Sequence, residues 1–222
     1  MSFELDHIFI CTAVGAPEAE RLIEFGLAEG SPNTHPGQGT ANRRFFFQNA
    51  MLELLWVANA TEAQSAAGRT RLWERWTERD QDACPFGFCV RPKIAPAGEL
   101  PFPAWEYRPR YLPPSVCMHI GTNSDVLSEP MLAYLGFIQP AERRQQLERE
   151  GRGAGGVMRE ITRTVMQMPG AKRASPELAT MARSTSLELC EGQAYLLEIG
   201  FDGEKQGKLA DFRPLLPLVF RW

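Results

Sequence analysis

Short apolar runs broken by turn-forming residues organise the chain. Residues 5–12, LDHIFICT, form a β-branched run of strand length. Next, APEAERLIEFG sets Ala19, Leu22, Ile23 and Phe25 at near-helical spacing, with Pro17 near the start and Gly26 as the stop, which predicts a helix. SPNTHPGQGTANRR (31–44) is dense in Pro, Gly, Asn and Thr and reads as a loop with demanding backbone angles. RRFFFQ (43–48) and MLELLWV (51–57) are strands, and Asn49 and Ala50 between them suit a tight hairpin.

After residue 115 the same order of parts returns. SVCMHIGT (115–122) is a strand, and 126–135 is helix-like, ending in Tyr134-Leu135-Gly136-Phe137. A polar insert over 139–156 reads as a helix followed by a flexible glycine loop, and strand runs resume at 160–168, 184–190 and 195–201. His7 and His119 occupy the opening strands of the two halves, and Glu53 and Glu198 the centres of the closing strands. This is a degenerate duplication with a period of about half the chain. The expected fold class is α+β: two βαβββ modules forming cupped, mostly antiparallel sheets around a central cavity. The modules span 1–60 and 115–222, the latter with the 139–156 insertion. The connecting segment, 61–114, holds an amphipathic helix (68–80, with Leu72, Trp73 and Trp76 packing down), an additional strand at 84–90 and an irregular proline-rich arm over 94–114.

Composition narrows the function. A net charge of -3 argues against a nucleic-acid partner, and the cluster Arg143, Arg144, Arg149 and Arg152, interleaved with Glu142, Glu148 and Glu150, reads as a solvated helix face. The amino-terminal residues lack a basic n-region, and no apolar stretch reaches the roughly 18 residues of a membrane span, so no membrane partner is expected. The five cysteines are odd in number and form no CxxC pair, which suits buried thiols in a cytoplasmic protein. GxSxG, HExxH and GxGxxG motifs are absent.

Glu53 and Glu198 are the only charges in apolar strands and should point inward, where a carboxylate needs a proton donor or a metal. His7 and His119 lie in similar surroundings, so the four residues suggest a two-His, two-carboxylate site. That donor set suits Zn, Ni, Fe, Mn or Co, with Glu53 or Glu198 free to leave the ion and act as the base. The alternative is a hydrogen-bonded His–Glu network without metal. In HPGQGTANRRFFF, the glycine amides with Thr40, Asn42 and Arg43 can receive a substrate carboxylate or phosphate, or the segment is simply a turn-rich loop and a strand edge. Strand parity does not choose between Arg43 and Arg44 for the cavity. His35 reads as a surface histidine or as a gating acid–base group, and Cys117 as a buried thiol sharing a face with His119. The aromatic residues Trp56, Phe86, Phe88, Trp105, Tyr107 and Tyr111 read as core or as the cavity mouth.

LDHIFICT, the segment ending in Tyr-Leu-Gly-Phe, MLELLWV, CMHIGTN and YLLEIGFDG, taken in order, resemble the vicinal oxygen chelate superfamily in its glyoxalase-like branch. The resemblance spans both halves and leaves out 58–114 and 139–156. Metal-dependent members such as glyoxalase I use a His or its substitute on the first strand and a Glu on the fourth strand of each module. By position, the resemblance implies that His7, Glu53, His119 and Glu198 are metal ligands. It implies a metal-dependent lyase or isomerase acting on a small oxygenated or carbonyl substrate, as a monomer or homodimer. Extradiol dioxygenases of the superfamily use a His-His-Glu set whose middle histidine has no counterpart here. Metal-free members of the bleomycin-resistance type bind and sequester a small molecule, which is the alternative function on the same scaffold.

Overall fold

The computed structural model describes residues 3–65, 68–94, 99–151 and 158–222. Its elements are β1 (Phe3–Cys11), α1 (Ala19–Glu24), β2 (Asn33–His35), β3 (Thr40–Phe46), β4 (Met51–Val57), α2 (Ala60–Gln64), α3 (Leu72–Thr77), β5 (Phe86–Pro92), β6 (Ala104–Tyr107), β7 (Met118–Gly121), β8 (Met131–Tyr134), α4 (Pro140–Gly151), β9 (Ile161–Met168), α5 (Pro176–Ser184), β10 (Leu187–Glu191), β11 (Leu196–Phe201), β12 (Leu209–Asp211) and β13 (Leu218–Arg221). They build an α+β protein with two mixed sheets. The larger, a half-barrel, has the order β2-β3-β4-β1-β5-β8-β7-β6, and the smaller, open sheet has the order β10-β9-β11-β13-β12.

The larger sheet is internally mirrored. β1 runs parallel to β4, β5 runs parallel to β8, and the halves meet where β1 and β5 pair antiparallel. The strands of the first 134 residues thus form one sheet, and those after 160 form another. This divides the chain differently from the expected 1–60, 61–114 and 115–222. The segment expected to connect two modules supplies β5, at the centre of the large sheet, and β6, at its edge. Every residue of β5 is buried, because the small sheet packs on one face and the cavity side lies on the other; such a strand reads as continuously apolar, as FGFCV does.

Alternate side chains of each large-sheet strand enter two separate cores. On one face, Ile8, Ile10, Leu52, Leu54, Phe86, Phe88 and Leu132 pack against Met166, Leu197, Ile199, Phe201, Leu218 and Phe220 of the small sheet. The opposite face carries Phe9, Cys11, Leu55, Cys89, Met131 and Ala133, with Leu72 of α3 laid over them. This second face is concave, and its hollow is the candidate site.

Several local expectations hold and others change. Helix α1 forms as expected and ends at Gly26, whose φ of 111° an L-residue rarely adopts. The hairpin closes one residue earlier than expected: Phe47 N–H donates to Ala50 O at 2.8 Å, making Gln48 and Asn49 the turn. Residues 126–135 are not a helix. Pro130 has no N–H for a helical bond and biases Glu129 towards extended backbone, so MLAY continues as β8. Helix α4 occupies the first part of the insert, while the expected glycine loop and Arg152 fall outside the described residues. Among the described residues no helix is long and apolar enough to cross a membrane.

Candidate active-site cavity

A bulge in β1 builds the centre of the site. Opposite β5, Leu5 pairs with Val90 and His7 with Cys89, so Asp6 is an extra residue without a partner. Ordinary alternation would send Asp6 and His7 to opposite faces; the bulge lets both point to the cavity side, and both line the hollow. Asp6 is wholly buried and accepts four charge-assisted bonds. His7 Nδ1 (2.7 Å) and Arg143 Nη2 (2.7 Å) donate to Oδ2, and Arg91 Nη1 (2.9 Å) and Arg143 Nε (2.8 Å) donate to Oδ1. Arg91 is itself buried and also donates to Leu5 O (3.1 Å) and Asn49 O (3.1 Å). Arg143 reaches in from α4. The arginine cluster expected to be a solvated face therefore sends one member into the interior, where Asp6 offers a bidentate partner.

These contacts set the charge states. Burial opposes ionisation of Asp6, but the His7 hydrogen bond and the Arg143 guanidinium outweigh it and hold the carboxyl well below its usual range. Burial likewise opposes a charge on His7, yet the facing Cys89 sulfur, the Glu53 carboxylate and Asp6 raise the imidazole well above its usual value. Burial also pushes the Cys89 thiol up, which keeps it protonated at neutral pH and leaves Glu53 and Asp6 as the anions that favour an imidazolium.

A pH dependence of stability follows. The lowered Asp6 pKa contributes stability that is present above about pH 3.9 and is lost as the pH falls through the folded value. The raised His7 pKa contributes stability that is present below about pH 6.5 and is lost as the pH rises through its folded value. Urea midpoints should therefore plateau between about pH 4 and 6.5 and fall on both sides. His7→Gln should flatten the alkaline limb relative to the parent; an unchanged limb would refute the assignment.

Around this centre the cavity, of about 290 Å³, is lined by Glu53 and Leu55 of β4, Met131 and Ala133 of β8, Tyr111 and Met118, and by Asn33, His35, Gln38 and Arg44 on its polar side. Glu53 is 6% exposed and accepts no hydrogen bond among the described residues; it shares the cavity with His7, His35 and its cross-strand partner Arg44. His35 lies against the Tyr111 ring (4.9 Å between centroids), and its Nδ1 hydrogen-bonds Thr40 Oγ1 at 2.9 Å. Burial lowers its pKa, so it is neutral where His7 is charged. His35 is thus a cavity residue, not a surface one.

The structure parts the four predicted metal ligands. His7 and Glu53 line the cavity together. His119 lies on β7, the third strand of its half-sheet, on the face opposite Met118, and Glu106 is its cross-strand partner. Glu198 lies in the small sheet, where Arg163 and Arg221 (Nε to Oε2, 2.6 Å) neutralise it. The quartet therefore does not assemble around one ion. In the mirrored half of the large sheet, Cys89 of β5 pairs with Ala133 of β8 as His7 pairs with Met51, so Cys89 and Leu135 correspond to His7 and Glu53, and neither was singled out as a ligand from sequence.

The predicted substrate-binding residues also separate. Arg43 is turned away from the cavity and pairs with Glu29 (Nη2 to Oε2, 2.5 Å) and Glu20 (2.8 Å), while Arg44 lines the cavity and is held by Ser31 O at 2.7 Å. Thr40 is buried beneath the lining, accepting from Gln38 Nε2 at 2.8 Å. Asn42 is fully buried; its Oδ1 accepts from Asn33 N–H at 3.0 Å and its Nδ2 has no partner. The glycine amides are not free for a ligand: Gly37 N–H donates to the protein's own Glu62 at 2.6 Å, and Gly39 N–H to His35 O at 3.1 Å. Gly39 is required there, because φ is +77° and a Cβ would sit 2.3 Å from Asn59 O.

A larger hollow of about 730 Å³ lies elsewhere, with Arg79, Asp80, Asp82, Tyr195 and Arg213 on its walls. It gathers no histidine, and Glu18 on its wall, though one carboxylate oxygen is buried without a partner, is held by Ala13 N–H at 3.0 Å through the other, so the smaller cavity, with two histidines, is the better candidate for chemistry.

No family model matches the chain, and no curated protein matches it. Among solved structures, it is similar to a hypothetical protein from Staphylococcus aureus at 12% identity, with a TM-score of 0.64, covering 100% of this chain and 98% of that one. That likeness shows a shared fold.

Proposed function

We propose that the concave face of the large sheet binds a small oxygenated or carbonyl compound and moves a proton on it, as a lyase or isomerase of glyoxalase-like type. The supporting observation is the pairing of Glu53, buried and without a hydrogen-bond donor, with a charged His7 fixed by Asp6. A carboxylate accepts only, so Nδ1 carries the proton shared with Asp6, and Asp6 orients the ring. In this reading Glu53 is the base for a C–H next to a carbonyl, and His7 donates to the oxygen on which charge develops. Arg44 supplies polar anchoring, and the apolar wall of Phe9, Leu55, Met131 and Leu135 excludes water.

The vicinal oxygen chelate relationship belongs to the same proposal. The mirrored order β2-β3-β4-β1 and β6-β7-β8-β5 supports it, with β5 in place of β7 as the opening strand of the second unit. In that alignment Cys89 and Leu135 take the positions of the second ligand pair. Leucine offers no donor, which favours the metal-free alternative: a binding protein of the bleomycin-resistance type.

One experiment separates the readings. Purified protein is incubated in D2O with dihydroxyacetone and related small hydroxyketones, and deuterium entering the carbon beside the carbonyl is followed by NMR. The enzymatic reading expects wash-in that falls by about 10²–10⁴-fold in Glu53→Gln and in His7→Gln. Saturable binding without wash-in supports the sequestering protein. Neither binding nor wash-in across the series would sink the proposal.

A further inference from the structure

We propose that the face of β6 and β7 turned away from the cavity carries a separate site for a divalent transition ion of the zinc type, held by Glu106, Cys117 and His119. One ligand atom from each residue lies within 4.8 Å of the other two. The strands dictate this grouping. Glu106 and His119 are cross-strand partners, and Cys117 precedes His119 by two residues, so all three project to one side. Met118, between them, points the other way and lines the cavity. The site is therefore independent of the proton-transfer reading.

The donor chemistry selects the ion. A thiolate, an imidazole and a carboxylate suit zinc or cobalt, whereas calcium and magnesium prefer oxygen donors alone. The two anionic ligands match the charge of a divalent ion, and three protein donors leave one tetrahedral position for water. A second observation concerns His119 itself: its Nδ1 is buried and has no hydrogen-bond partner. A ring nitrogen without a partner, on an imidazole grouped with a thiol and a carboxyl, leaves the histidine uncommitted to any protein acceptor that would compete with an ion. Cys117 and His119 are half-buried and Glu106 is exposed, so the ion has a way in. Without an ion, Glu106 is held by Arg108 Nη2 at 2.8 Å, an exposed pair that competes with coordination. Because β6 is the edge strand, an ion here would also staple that edge to β7.

The test is titration of the reduced full-length protein with cobalt(II), followed by zinc(II) calorimetry. A saturable, one-to-one response with a near-ultraviolet thiolate-to-cobalt charge-transfer band is expected. Cys117→Ser should abolish the band, while Cys89→Ser and Cys190→Ser should keep it. Glu106→Gln and His119→Ala should each weaken binding by more than the roughly tenfold typical of losing an outer-shell partner. Arg108→Ala frees the Glu106 carboxylate and should tighten binding, an outcome that misfolding cannot mimic. A band absent from the parent protein, or one that survives Cys117→Ser, would overturn the site.

Discussion

Replacing Asp6 with alanine is expected to cost about 3–5 kcal/mol of unfolding free energy, among the largest effects of any single substitution in this chain. Asp6 is wholly buried and is the shared counter-ion of Arg91 and Arg143, themselves 1% and 10% exposed at the side chain. Its removal would leave two guanidinium groups in the interior with their strongest partner gone. Arg91 would keep only the Glu4 contact at 3.0 Å and its backbone carbonyls, and Arg143 would keep Gln146 at 2.8 Å. An unpaired buried charge costs far more than the net worth of the pair that contained it. Arg143→Met should cost less, since Asp6 would retain Arg91 and His7. Urea unfolding followed by far-ultraviolet circular dichroism measures both. A loss below about 1 kcal/mol for Asp6→Ala would mean that the carboxylate does not compensate these charges. The same variant should reduce any proton transfer in the cavity, because His7 would lose the partner that sets its tautomer.

Phe201→Ala is expected to destabilise the protein by about 3–5 kcal/mol, the range for truncating a fully buried aromatic residue. Phe201 ends β11 with 0% exposure, and its ring lies 4.8 Å from Phe47, which follows β3 of the large sheet, and 5.0 Å from Phe220 of β13. It therefore joins the two sheets, and the cavity left by its loss is bounded on both sides by aromatic rings. Because one continuous core spans the two sheets, unfolding should remain a single transition, shifted to lower urea. Two transitions, with only one displaced, would show that the small sheet folds on its own.

Much of the local structure was legible along the chain. FELDHIFIC, MLELLWV and FGFCV carry strand chemistry strongly enough to be recognised in isolation, and the APEAERLIEFG segment carries its own start and stop. Half of the candidate site was legible for the same reason: a lone Glu53 in an apolar strand and His7 among β-branched neighbours are local anomalies with a physical cost. The other half was not. MHIG has the pattern of an opening strand, yet it forms the third strand of its half-sheet, because nothing in four residues records which strand they will pair with. Glu198 also looked like an isolated interior charge, because Arg163 and Arg221 become its neighbours only through the β9–β11 and β11–β13 pairings.

The chain by itself determined the α+β class, thiols without a disulfide pattern, and the places of His7 and Glu53 as isolated polar residues in apolar strands. Those features rest on side-chain alternation and turn residues, whose physics acts over a few neighbours. Only the tertiary structure decided that β5 is the mirror of β1, that a bulge turns Asp6 beside His7, and that Arg143 arrives from a helix 137 residues away to neutralise it. Register and partner choice depend on which distant surfaces bury the most apolar area together and leave no charge unpaired, a condition that no short window of sequence can express.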